Sequence, residues 1–185
     1  MYHRYLNLPF EIAKPPIDFT VKPEWDGIDL QGKYMDPNMK SWLKGLGLDC
    51  GKVEVFYTPP HSKIPIHADD YDMKRKRVDS HVKINVTWGP EEGTIRFWES
   101  KKTFFVQDAS MDCTSRLTLA AHEKDSKMVC EANTNIPSLV NVGCLHSTHN
   151  PTDEPRWTLC FVPTLRNRTI SALNSLRIFE KFIVK

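Results

Sequence analysis

Two histidines and an acid stand where their side chains can converge on one ion: His67-Ala68-Asp69 and, far downstream, His146. Residues two apart in an extended segment point the same way, so His67 and Asp69 can reach a single ion from one strand end. Two neutral imidazoles and one carboxylate are the donor set of non-haem ferrous centres, which leave coordination positions open for reactants. His67, Asp69 and His146 are therefore the candidate metal ligands and the candidate catalytic centre.

Arg156 follows His146 by ten positions and opens another extended run. A 2-oxoglutarate molecule can fill two open positions through its keto oxygen and one carboxylate, leaving a third for dioxygen. Its far carboxylate would then be buried, and a buried carboxylate has to be paired and hydrogen-bonded. Arginine does this best, because its planar fork grips a carboxylate with two parallel bonds. In the run that begins at Arg156, Arg156 and Thr158 share one face while Trp157 and Leu159 share the other, so a cation and a hydroxyl can hold the same carboxylate.

These residues need strands to carry them, and the chain supplies many. Val53, Val55 and Tyr57 alternate with Lys52, Glu54 and Phe56, the period of a strand. The same reasoning gives strands at about 63–67, 80–88, 94–99, 102–106, 117–121, 138–142 and 156–162, separated by turn-rich pieces such as Gly89-Pro90-Glu91-Glu92-Gly93. So many short strands indicate a mainly β, double-sheet jelly roll. From Pro9 to Pro37 the prolines suit an extended wrapping segment, and Ser41 to Gly47 suits a short helix stopping at glycine. In the tail Ile170, Leu173, Leu176 and Phe179 recur at helical spacing. At 185 residues the chain is read as one domain, with residues 1–50 as the wrapping segment, 51–165 as the jelly-roll core and 166–185 as a C-terminal helix.

Composition narrows the function classes. The 25 basic and 23 acidic residues nearly cancel, so no strong field points to nucleic acid or a membrane surface, although Lys74-Arg75-Lys76-Arg77 is locally basic. The five cysteines are an odd number without CxxC spacing, which argues against a disulfide framework or a cysteine zinc knot and for a reducing, cytoplasmic setting. No apolar run approaches the ~20 residues a membrane span requires, and the N-terminus has no signal-like core.

The stretch Leu139-Val140-Asn141-Val142-Gly143-Cys144-Leu145-His146, continued by Asn150-Pro151-Thr152-Asp153-Glu154-Pro155-Arg156-Trp157-Thr158, resembles the distal-histidine and arginine strands of Fe(II)/2-oxoglutarate-dependent dioxygenases. It is most similar to their aspartyl/asparaginyl β-hydroxylase and proline hydroxylase branch, where Glu-Pro-Arg likewise enters the last strand about ten residues after the histidine. Short oxygenases of this kind are frequent in bacteriophages, in which case the setting is the host cytoplasm. The resemblance implies a double-stranded β-helix, a ferrous ion, and 2-oxoglutarate decarboxylated to succinate and CO2 while dioxygen oxidises an amino acid side chain, free or in a peptide. It also implies that a histidine on the strand after the metal motif contacts the co-substrate, and His81 occupies that place. Arg156, Thr158 and His81 are thus the expected co-substrate residues. Because Asp69 is present, halogenation, which needs a small residue there, is disfavoured.

His149, three residues after His146, is the rival ligand, and the arginine spacing favours His146, leaving His149 in the following loop. His61, His122 and His3 read as surface, structural or terminal histidines, and Asp70 as a turn acid. Tyr57, Trp98, Cys144 and Cys160 read as core residues. Two other classes stay open: a cupin-like metal isomerase or hydrolase, which would fill its site with further histidines rather than an arginine, and a non-catalytic jelly-roll binding module. Specificity for the primary substrate is expected in residues 1–50, 71–79 and 107–115.

Overall fold

Alternation along the strands builds two antiparallel sheets that face one another, with helices against the outer side of the first. The computed structural model describes residues 1–15, 18, 27–29, 34–72, 77–78, 81–107 and 117–185. The first sheet holds β1 (His3–Tyr5), β2 (Gly27–Asp29), β3 (Asp49–Thr58), β6 (Val82–Trp88), β11 (Ser138–Asn141), β13 (Arg156–Leu165) and β14 (Arg168–Thr169). The second holds β4 (Ser62–Asp72), β5 (Arg77–Val78), β7 (Thr94–Ser100), β8 (Phe104–Gln107), β9 (Leu117–Ala120), β10 (Ser126–Asn133) and β12 (His146–Asn150). Their orders are β1-β11-β6-β13-β3-β2, with β14 on β13, and β10-β7-β12-β4-β9-β8, with β5 on β4. Successive central strands switch sheets, β3 to β4, β6 to β7, β11 to β12 and β12 to β13, which is the winding of a jelly roll.

The first sheet has two unlike faces. Along β13, Trp157, Leu159 and Phe161 join the largest buried cluster, and Val82, Ile84 and Val86 of β6 and Val53 and Val55 of β3 join them. That face is covered by α1 (Pro37–Gly45) and α2 (Ala172–Ile178), through Met39, Leu43 and the nearby Phe179. The alternate residues, Thr158 and Cys160, Lys83, Asn85 and Thr87, Glu54, Phe56 and Thr58, face the second sheet and line a cavity. The largest apolar cluster therefore lies outside the sandwich, between one sheet and the helices, while a smaller one that includes Ile95, Phe97, Val140 and Val142 lies between the sheets beside the polar groups of the cavity.

Several elements differ from the sequence expectation. The helix expected at 41–47 begins at Pro37, because Asp36 accepts from the backbone N–H groups of Asn38 (2.8 Å) and Met39 (2.9 Å), a capped start with proline in the first turn. In the tail only Ala172–Ile178 is α-helical, followed by a 3-10 turn at Glu180–Phe182. The expected strand at 102–106 starts at Phe104. β10 was not expected, and residues after His146 form a strand rather than a loop. Of the expected features, Pro16, Pro23, the basic residues 74–76, Cys113 and most of the 107–115 segment lie outside the described residues. Among the described residues no helix is long and apolar enough to cross a membrane.

Leu159 is 2% exposed beneath the helices and Leu173 is 61% exposed on α2. In urea melts Leu159→Ala is expected to cost about 2–5 kcal/mol and Leu173→Ala less than about 0.5 kcal/mol; equal losses would refute a helix-covered core.

Candidate metal centre

β4 carries two of the three donors and β12 the third. His67 and His146 lie opposite one another across the β4–β12 ladder, with ring centroids 4.4 Å apart. The register then slips: Thr148 lies opposite Ile64, so three steps of β4 match two of β12. Such a bulge re-aims a side chain beside a site, and Pro65, inside it, has no N–H to give to the ladder. Ile64 and His67, three apart, consequently both line the cavity, and Asp69 follows two residues on. The Asp69 N–H donates to the Val142 carbonyl at 2.9 Å, which ties the acid to the chain leading into His146.

The ring orientations are fixed from behind. His67 Nδ1 donates to the Pro65 carbonyl (2.8 Å) and His146 Nδ1 to the Cys144 carbonyl (2.9 Å). A carbonyl only accepts, so both rings carry a proton on Nδ1 and turn Nε2 inward. Asp69 Oδ1 lies 3.2 Å from His67 Nε2 and 3.9 Å from His146 Nε2, and one ligand atom from each residue falls within 4.8 Å of the others. Adjacent donors sharing an ion at ~2.1 Å and right angles stand about 3 Å apart. The three side chains fit one divalent ion.

A fourth residue, absent from the sequence reading, completes the charge pattern. Lys83 Nζ, on β6, contacts both Asp69 Oδ2 and Glu54 Oε2, although Lys83 is 3% and Glu54 4% exposed. Burial alone would push the Asp69 carboxyl up; the Lys83 ammonium, then the two histidines, outweigh it and hold Asp69 well below the usual carboxylate range. Burial likewise disfavours the Lys83 ammonium, and the Asp69 and Glu54 carboxylates raise it above its ordinary value. Lys83 escaped notice because Val82-Lys83-Ile84-Asn85-Val86-Thr87 reads as an ordinary half-exposed strand. Its polar face turns out to be the interior one.

Of the two expected co-substrate residues on β13, Thr158 lines the cavity and Arg156 lies just outside its lining. Thr158 Oγ1 is 3.0 Å from Thr87 Oγ1. Arg156 is 4% exposed, and its Nη2 donates to Oγ1 of Thr134, a lining residue. Arg156 Nη1, Asn85 Oδ1 and Thr148 Oγ1 are buried without a hydrogen-bond partner among the described residues. Gly93 makes room for the guanidinium, since a Cβ there would lie 1.1 Å from Arg156 Nη1. Asn150, fully buried, holds the turn before Arg156 by donating to the carbonyls of Pro59 (2.9 Å) and Glu154 (2.7 Å).

The remaining candidates are not gathered there. His81 is buried just before β6, outside the cavity lining. His149 sits on β12 opposite Lys63 and Thr94, one residue from the inward Thr148, and so belongs to the opposite face. The loop expected for it does not exist. His61 pairs with Asp153 at the surface (2.7 Å), His122 packs on Phe104 (4.6 Å) and His3 meets Tyr5 edge-on (4.6 Å). Asp70 lies within β4, Tyr57 packs edge-on against Trp157 (5.1 Å), and the Trp98 indole donates to Ser147 Oγ at 2.9 Å. Cys144 packs on the Phe97 cluster, but Cys160 lines the cavity rather than the core.

No family model matches the chain, and no curated protein sequence does. Among solved structures, similarity extends to a non-heme monooxygenase, ThoJ, in a nickel complex: 14% identity over 74% of this chain and 56% of that one, TM-score 0.38. The apo form of ThoJ gives 17% identity over 68% and 51%, TM-score 0.38, and EvdMO1 gives 13% over 69% and 30%, TM-score 0.39. The chain spans less than two thirds of the length of each of these structures.

Both nitrogens of His67 face acceptors, the Pro65 carbonyl and the Asp69 carboxylate. Burial disfavours the imidazolium, but the Asp69 bond and charge outweigh it and raise His67; burial, and then His67 itself, push His146 down to about 4. A raised His67 stabilises the ion-free fold fully below an unfolded pKa of about 6.5, and that stability fades as pH rises through the raised value. An ion replaces this proton, so at pH 6.5 divalent binding should release more than about half a proton, read by calorimetry in buffers of different ionisation heat. Release near zero would show that His67 is already neutral. Separately, His149→Ala should retain the ion and His146→Ala should lose it in equilibrium dialysis; the reverse result would make His149 the ligand.

Proposed function

We propose that this protein is a non-haem Fe(II)/2-oxoglutarate-dependent dioxygenase that hydroxylates an amino acid side chain, free or in a peptide. One observation carries the reading: two imidazoles and a carboxylate converge in the wall of a cavity, and behind its lining residue Thr134 stands a buried arginine whose Nη1 has no hydrogen-bond partner among the described residues. A simple metal hydrolase or isomerase has no need of a buried guanidinium beside its ion.

His67, Asp69 and His146 would hold the ferrous ion. When bound, that ion couples dioxygen reduction to decarboxylation of 2-oxoglutarate, giving succinate, CO2 and an oxidised substrate. The chain's own residues do the rest. Arg156 offers Nη1 to the far carboxylate of the co-substrate, and Thr134 holds the guanidinium in place from Nη2. Thr158 and Thr87, already bonded to one another, present a hydroxyl pair to the same space, and Thr148 adds a buried hydroxyl two residues from His146. Burial opposes the Arg156 charge, with Glu92 partly offsetting it, so an anionic partner relieves the cost of burying the guanidinium. Asp69 stays ionised through Lys83 and is a carboxylate donor throughout the working pH range. The primary substrate is a small molecule or a peptide side chain, with no membrane or nucleic acid partner proposed.

Truncating one member of a buried, hydrogen-bonded charge pair costs about 2–5 kcal/mol. At about 1.4 kcal/mol per decade, Arg156→Ala should raise the 2-oxoglutarate Kd by more than about thirtyfold while the ion stays bound, measured calorimetrically with Mn2+ in place of iron. Wild-type protein should form succinate with Fe(II) and 2-oxoglutarate. Equal co-substrate affinity in Arg156→Ala and wild type would remove the ground for a 2-oxoglutarate enzyme.

A further inference from the structure

A site that binds a dication would not be expected to hold an ammonium against one of its ligands, yet Lys83 Nζ rests on Asp69 Oδ2. Like charge weakens the hold on the ion, so the placement needs another explanation. The two oxygens of Asp69 are used differently: Oδ1 faces the two histidine Nε2 atoms at 3.2 and 3.9 Å, and Oδ2 faces Lys83. Resting on the metal-centre reading above, we propose that Lys83 is a positioning residue that confines Asp69 to a single donor oxygen, preserving the coordination positions the reactants use.

The lysine is held where it can do this. Its side chain is 4% exposed, with Glu54 on its other side and the Phe56 ring 5.4 Å from Nζ. Glu54 in turn has its Oε1 2.7 Å from Lys52, nearer the surface. Glu54 itself lines the cavity but does not belong to the group of donors that could share one ion. The ammonium therefore withholds one oxygen, Asp69 Oδ2, from the metal. A carboxylate that is free to turn binds hard divalent ions through either one or both oxygens, and a second oxygen from Asp69 would displace a water that a reactant must otherwise replace.

Mn2+ is the probe, and the readout is the number of waters it holds, from water-proton relaxation and electron-nuclear double resonance, together with its Kd. Wild-type protein should hold Mn2+ with about three waters, six positions less three protein donors. Wild-type protein that binds no Mn2+ refutes the metal-centre reading itself. Lys83→Met should bind Mn2+ about tenfold more tightly, because a like charge has gone, and should lose one bound water. Because Lys83→Met leaves Glu54 short of a partner, Glu54→Gln/Lys83→Met, which removes both charges, serves as the second variant, its folding checked by circular dichroism. It should lose one water and bind Mn2+ no more weakly than wild type. An unchanged water count in the folded variants overturns the proposal, and so does loss of Mn2+ from the folded double variant, since Lys83 would then support Asp69 rather than restrict it.

Discussion

The Asp69 carboxylate has to remain charged while only 17% exposed in a cavity wall, and much of the arrangement around it follows from that. Lys83 answers Asp69, Glu54 answers Lys83, and Lys52 answers Glu54 nearer the surface. The chain of charges crosses from β4 in one sheet to β6 and β3 in the other, so it stitches the two layers together at the site. Buried ion pairs give little net stability against well-packed apolar residues, while breaking one leaves an uncompensated charge. The row therefore fixes which strands face each other at the centre more than it strengthens the fold.

Stability has to come from elsewhere, and the second face of the first sheet provides it. Trp157, Leu159 and Phe161 pack under α1 and α2, where Trp42 meets Phe179 at 5.4 Å, Phe182 at 5.1 Å and Phe10 at 5.8 Å. The chain's two ends meet in the same layer, through the bridge between Leu6 and Ile183 and the pairing of β1 with β11. A sandwich normally buries its apolar residues between its sheets. Here that space holds a smaller apolar cluster beside the polar groups of the site, and the helices and termini supply the cover that an outer sheet face would otherwise lack.

The strands were legible wherever alternation was strong, as at Val53, Val55 and Tyr57 or in the run from Arg156 to Phe161. The pairing of His67 with Asp69 followed from the same period of two. What alternation cannot tell is which of two faces is the interior, and in β6 Lys83 is as buried as the valines on the other face while Asn85 and Thr87 beside it line the cavity. Nor does it announce a register slip: the bulge at Pro65 that brings Ile64 and His67 to one side depends on pairing with β12, a partner remote in sequence. The reading of His149 as a loop residue failed because His146-Ser147-Thr148-His149-Asn150 is polar throughout, and its strand character comes from lying between β4 and β7. The capped start of α1 was a missed local signal, since Asp36-Pro37 is itself a helix-opening pair.

The buried charges also bear on which ligands the centre can take. Asp69 and Glu54 are balanced by Lys83 and Arg156 once His67 has given up its proton, and Lys52 beside Glu54 by Glu92 near Arg156, so the set alone is neutral and a dication by itself adds two positive charges. In a medium of low dielectric that excess is costly, and a ligand with two negative charges removes it. A dicarboxylate that joins the ion at one end and Arg156 at the other satisfies this balance together with the partnerless Nη1. A neutral ligand would satisfy neither, which is why the charge pattern, more than the identity of the three ion donors, supports the co-substrate proposed for this protein.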